Sequence, residues 1–202
     1  MDEQGTFLGP GPQSEGSEKL FADSLAGDGY VANYLRLWAR RPDVFDGYVS
    51  TRGALVEGST LTERDLAVLV TATASQRGDS YCSLAWGTRL SRLSDAETAA
   101  DLIAGGSPSE LSQREAALAS WARQVVRDPN ATTLSDVNLL RAVGLDDQAI
   151  FDATVFIALR LAFSTVNDAL GAAPDKELVE KVPAPVRDAV RYGRAPMTAP
   201  SG

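Results

Sequence analysis

The chain has 202 residues, 44% of them apolar and 23% charged, which is length and composition for one globular domain with its own core. A net charge of −8 speaks against nucleic-acid binding, which needs clustered Lys and Arg, and against an anionic membrane surface. The sequence holds no histidine and a single cysteine, Cys82, which excludes a Ser-His-Asp triad, a Cys-His pair, a His-ligated or thiolate-rich metal site and an intramolecular disulfide.

The opening residues, MDEQGTFLGPGPQSEGSE, carry no basic stretch and no apolar stretch, so no signal peptide is expected. No apolar run is read as long enough to cross a bilayer. One unpaired cysteine fits a reducing compartment, and a cytoplasmic protein without cofactor or metal is the expectation.

Residues 1–17, rich in Gly and Pro, read as a mobile tail, and so do residues 194–202. Residues 18–193 form the expected domain, and their periodicity is helical almost throughout, with no period-two strand. Tyr30, Val31, Tyr34, Leu35 and Trp38 share one helical face. Pro42 opens the next helix, which Gly58 ends. Thr62 caps a third, with Asp65 three residues on and Leu61 facing Leu66 as a staple. Its continuation, LAVLVTATAS, has almost no polar face and predicts a helix buried on most sides, at a domain centre or in an oligomer. Gly78 breaks it, and Asp79 caps DSYCSLAWGTRLSRL. Ser94 with Glu97, and Ser112 with Glu115, predict capping boxes for two further helices. Thr133 or Ser135 starts a short helix that Gly144 ends. Asp146 opens a long one with Ile150, Phe151, Val155, Phe156, Leu159 and Phe163 as core or interface, stopped at Gly171 and Pro174. Pro185 opens the last. The prediction is an all-α bundle of about eight helices with short connections.

If Asp79 is the cap, Cys82 falls in the first turn of its helix. Unpaired amides and the helix dipole there favour a thiolate; the like charge on Asp79 and apolar burial oppose it. The sequence around it, RGDSYCSLAWG, together with RDLAVLVTATAS before it and RDPNATTLSDVNLLRAVGLDDQAIFDATVFIALRLAF and NDALG after it, resembles the alkylhydroperoxidase D-like and carboxymuconolactone decarboxylase superfamily over about residues 30–180. In that superfamily an acidic residue on a buried helix precedes a Cys-x-x-Cys pair, and a histidine follows four residues after the second cysteine. Tyr81-Cys82 matches the Tyr-Cys step of the peroxidase-related branch, and Gly87 its trailing glycine.

The departures fall on the chemistry. Asp79 occupies the first cysteine position and Trp86 the histidine position. Asp65 matches the acidic residue after allowing two extra residues, and Ser164 stands where a polar Asn is usual. The resemblance thus implies a site with Cys82, Asp65 and Asp79 as chemical groups, and a pocket including Tyr81, Trp86, Glu63 and Ser164. It also implies a homo-oligomer with a peroxide or lactone-type substrate and an external thiol reductant. Each residue has a plainer reading: Cys82 as a small buried hydrophobe, Asp65 as a capping-box residue, Asp79 as an N-cap, Trp86 as core, Glu63 as a solvated charge favouring a helix start. With no resolving cysteine and no histidine, the family's dithiol cycle is not available to the chain alone. Three functions stand open: a one-cysteine, peroxiredoxin-like antioxidant peroxidase; a decarboxylase-like lyase or small-molecule-binding protein without redox chemistry; and a catalytically inactive oligomer kept for binding.

Overall fold

A computed structural model describes residues 5–197. Among them it contains helices and no strand: α1 Glu15–Asp28, α2 Asn33–Trp38, α3 Pro42–Glu57, α4 Glu63–Arg77, α5 Ser80–Leu93, α6 Ala96–Ile103, α7 Gln113–Arg127, α8 Leu134–Ala142, α9 Asp147–Ala169, α10 Lys176–Glu180 and α11 Ala184–Ala189. Two of these, α1 and α10, escaped the sequence prediction.

At the centre lies α4. Every residue from Asp65 to Ala74 is buried, so this helix has no solvent face, as its composition demands. Its cover comes from within the chain: α5, α6, α7 and α9 pack around it. The apolar run therefore needs no second subunit to bury it. Thr62 and Asp65 form the reciprocal box at its start, Gly78 ends it with φ 77°, and the chain turns directly into α5. Arg64 Nη1 of α4 donates to Leu93 O at the end of α5, at 3.2 Å, so the two helices run antiparallel.

The box expected at Ser94 does not form, and the cap lies one residue on. Asp95 is the N-cap of α6 and accepts from Thr98 N, while Ser94 closes α5 by accepting nothing and donating to Leu90 O. Capping by Ser112 is as read, and of Thr133 and Ser135 it is Thr133 that caps α8. Gly87 has a packing reason: a Cβ there would lie 2.7 Å from Ile103 Cδ1 and 2.8 Å from Val186 Cγ1, so only glycine lets α6 and α11 meet α5.

The long helix α9 does meet the length and composition of a membrane span, contrary to the sequence reading. Its inward face carries Asp152, Arg160, Ser164 and Asn167, all buried, and it packs on α4 and α7; buried polar groups and protein neighbours mark the core helix of a bundle. Of the expected apolar stripe, Ile150, Phe156 and Phe163 are buried, whereas Phe151 is 62% exposed.

Both expected tails are tied to the body where they are described. Ala173 N donates to Gly5 O and Phe7 N to Leu170 O, each at 2.9 Å, and Met197 N donates to Pro174 O at 3.0 Å. The Arg194 guanidinium lies 4.5 Å from the centre of the Phe7 ring. The packed body thus exceeds the predicted limits of 18–193; residues 1–4 and 198–202 lie outside the described residues.

Candidate functional site

Beside the main core, a second, smaller apolar cluster gathers around Cys82. It joins Ala74, Cys82 and Phe163 to the partly buried rings of Tyr34, Trp38, Phe45, Tyr48 and Trp86. Rings from α2, α3, α5 and α9 meet here. Trp38 and Tyr48 both stack on Phe163, with interplanar angles of 8° and 13°, and Tyr34 meets it edge-on at 5.3 Å. A cavity of about 180 Å³ opens within this cluster, bounded by Phe45, Tyr48, Val49 and Arg52 of α3, by Tyr81, Cys82 and Trp86 of α5, and by Arg160 and Phe163 of α9.

Cys82 is fixed from three sides. Its N–H donates to Asp79 Oδ1 at 2.9 Å, the N-cap bond that starts α5. Asp79 Oδ2 accepts from Ser164 Oγ at 2.5 Å, and Ser164 Oγ lies 3.8 Å from Cys82 Sγ. Arg160 Nη2 donates to Cys82 Sγ at 3.0 Å. Cys82, Asp79, Ser164 and Arg160 are each at most 4% exposed. The thiol is pushed up to about 12, chiefly by burial, against the pull of the Arg160 cation and with the Asp79 carboxylate adding to the rise. The advantage expected from the helix N-terminus is spent: the amide nearest the sulfur already serves Asp79, and desolvation decides the balance.

Arg160 is the group sequence reading missed. Its guanidinium lies 5.4 Å from the Trp86 ring centre and 5.0 Å from that of Phe163. Nη1 donates to Tyr48 Oη at 3.4 Å. Its Nε is buried with no hydrogen-bond partner. No carboxylate among the described residues lies within ion-pair distance of it. A cation buried without a counter-charge is costly, and this one borders the cavity.

The predicted site residues divide into two groups. Cys82, Asp79 and Ser164 form one hydrogen-bonded cluster, with Tyr81 and Trp86 in the adjoining cavity wall. Tyr81 is turned to a second polar pair, donating its hydroxyl to Asp175 Oδ2, whose other oxygen accepts from Asn33 N at 2.8 Å. Burial pushes the Asp175 carboxyl up to about 6 and the Tyr81 phenol well above its ordinary value. Asp65 and Glu63 are not brought to the site. Asp65 sits at the far end of α4, about 18 Å of helix rise from Arg77, where it closes the capping box with Thr62 and pairs with Arg114 Nε at 3.1 Å. Glu63 pairs with Arg89 at 2.9 Å on the surface. Both keep the helix-start roles that their positions alone explain.

No protein-family model matches this sequence, and no curated protein does. The fold does match solved structures. It is similar to an alkylhydroperoxidase AhpD core, an uncharacterized peroxidase-related protein from Ralstonia eutropha, with a TM-score of 0.75 and 22% identity over 86% of this chain and 94% of that one. It is similar to an uncharacterized peroxidase-related protein from Silicibacter sp., with a TM-score of 0.78 and 21% identity over 87% and 95%. It is also similar to a debrominase in its apo form, with a TM-score of 0.72 and 13% identity over 95% and 100%.

Proposed function

We propose that this chain, which has the alkylhydroperoxidase D-like fold, works by binding a small molecule in the cavity between α3, α5 and α9, without redox turnover at Cys82. The observation that carries this reading is the enclosure of the sulfur: Cys82 is 4% exposed and its own amide is already bound to Asp79 Oδ1. A thiol pushed up to about 12 is ionised in roughly one molecule in 10⁵ at pH 7, against a few per cent for an ordinary cysteine. The thiolate is the nucleophile in peroxide reduction, and the greater intrinsic reactivity of a more basic thiolate offsets only part of its scarcity, so the step is slowed on the order of a hundredfold before the missing histidine is considered. What remains is an aromatic recess with a few fixed polar groups, the usual composition of a ligand site.

A second reading, a one-cysteine peroxidase, is favoured by one contact, the 3.0 Å donation from Arg160 Nη2 to Cys82 Sγ. In that chemistry the thiolate attacks a peroxide oxygen, the O–O bond breaks, the alkoxide takes a proton and leaves, and an external thiol reduces the resulting sulfenic acid. Consumption of cumene hydroperoxide and hydrogen peroxide in excess dithiothreitol, by wild type and Cys82→Ser, decides between the two. The proposal expects equal, background rates. Cys82-dependent turnover overturns it in favour of the peroxidase.

A further inference from the structure

We infer that the ligand of this cavity is a planar aromatic carboxylate, held by its carboxylate at Arg160. The inference rests on reading the cavity as a ligand site and adds the chemical class of its occupant.

Arg160 stays protonated in any protein setting. Its surroundings are a neutral thiol, a phenol, two ring faces and an unpartnered Nε. Buried guanidinium groups are ordinarily paired with a carboxylate, and among the described residues this one is not. The nearest acidic group of its cluster, Asp79, has one oxygen on Cys82 N and the other on Ser164 Oγ. An incoming anion supplies the missing counter-charge. Arg guanidinium groups match carboxylates with two parallel donors, which selects a carboxylate over a spherical anion.

A second cation stands at the same recess. Arg52 of α3 lines the cavity, sits 5.9 Å from the Tyr48 ring centre, is half-buried, and has no ion pair among the described residues. Two positive groups therefore face one small space in a protein whose net charge is −8. The rest of the lining sets the body of the ligand. The near-parallel rings of Tyr48 and Phe163, with Tyr34, Phe45 and Trp86 also in the wall, favour a flat conjugated molecule that stacks. A volume of about 180 Å³ is below the roughly 300–1,000 Å³ of drug-sized sites, which indicates a single ring.

The test is calorimetric titration of the full chain with benzoate and with its neutral counterpart, benzyl alcohol, for wild type, Arg160→Met and Arg52→Gln. Benzoate should bind wild type at least roughly tenfold more tightly than benzyl alcohol. Arg160→Met should abolish that preference, and Arg52→Gln should reduce it several-fold with an unchanged circular dichroism spectrum. Equal affinity for the two ligands overturns the carboxylate and leaves the cavity as a neutral ligand site. A benzoate preference that survives in folded Arg160→Met overturns the role of Arg160. Failure of both ligands to bind overturns the small-molecule reading as well. If Arg160→Met does not fold, the two-ligand comparison in wild type and Arg52→Gln still decides the matter.

Discussion

Asp79 does two structural jobs with one carboxylate, and removing it tests the local architecture of the site. Asp79→Ala deletes the N-cap of α5, worth about 1 kcal/mol. It also strands the buried Ser164 hydroxyl, which gives its proton to Asp79 at 2.5 Å; an unsatisfied buried hydroxyl costs about 1–2 kcal/mol. Together these predict a loss of about 2–3 kcal/mol. For a chain of this length that lowers Tm by roughly 4–12 °C. Asp79→Asn keeps an oxygen for Cys82 N and a polar partner for Ser164 while deleting the charge, and should lie within about 1 kcal/mol of wild type. Scanning calorimetry and urea unfolding of both variants give the comparison. If Asp79→Ala unfolds with wild-type stability, or if Asp79→Asn falls as far as Asp79→Ala, the hydrogen-bonding account of Asp79 is wrong and its charge is what matters.

Iodoacetamide should alkylate Cys82 at pH 8 at least about a hundredfold more slowly in the folded protein than in urea, because burial withholds both access and the thiolate; comparable rates would contradict the raised thiol. Gly87→Ala should cost about 1–3 kcal/mol in urea unfolding, since its Cβ would meet Ile103 and Val186 within 2.8 Å, and a neutral effect would mean that α6 and α11 shift freely. Burial also pushes Asp168 up to about 6. A carboxyl raised in the folded state contributes stability that is fully present below its unfolded value near 4 and is lost as pH rises through about 6. Asp168→Asn should therefore gain stability relative to wild type at pH 7 and gain less at pH 4.5; the opposite order in urea midpoints would refute the assignment.

The helical architecture was legible because its signals are local. Thr62 with Asp65 and Ser112 with Glu115 advertise helix starts within four residues, and the apolar run after Leu66 announces a central helix. The first helix was lost for the opposite reason: the Gly and Pro before Ser14 read as a tail, while the contacts that hold it, such as Lys181 Nζ on Asp28 O, join distant parts of the chain. At the site, Asp79 was found from its position three residues before Cys82, and Ser164 from the resemblance alone. Asp65 was drawn in by the resemblance alone, at a spacing two residues too long, although the capping pattern already accounted for it. Arg160 had one visible signal, a lone charge inside the apolar stretch FIALRLAF, which a helix would place either in solvent or in a functional recess. The sequence could not say which, because the answer depends on whether α3 crosses that face.

α3 forms one wall of the cavity, yet none of its sixteen residues is buried. The opposite walls, α5 and α9, are anchored in the main core. Substitutions at more exposed positions such as Val49 and Arg52 therefore leave the packing around α4 untouched, and surface changes of that kind are usually within about 0.5 kcal/mol. The shape and charge of the recess are free to drift while the scaffold stays put. Ligand preference in this chain is in that sense separable from foldability: a few changes on one outlying helix would redirect what is bound, with Arg160 left as the fixed point.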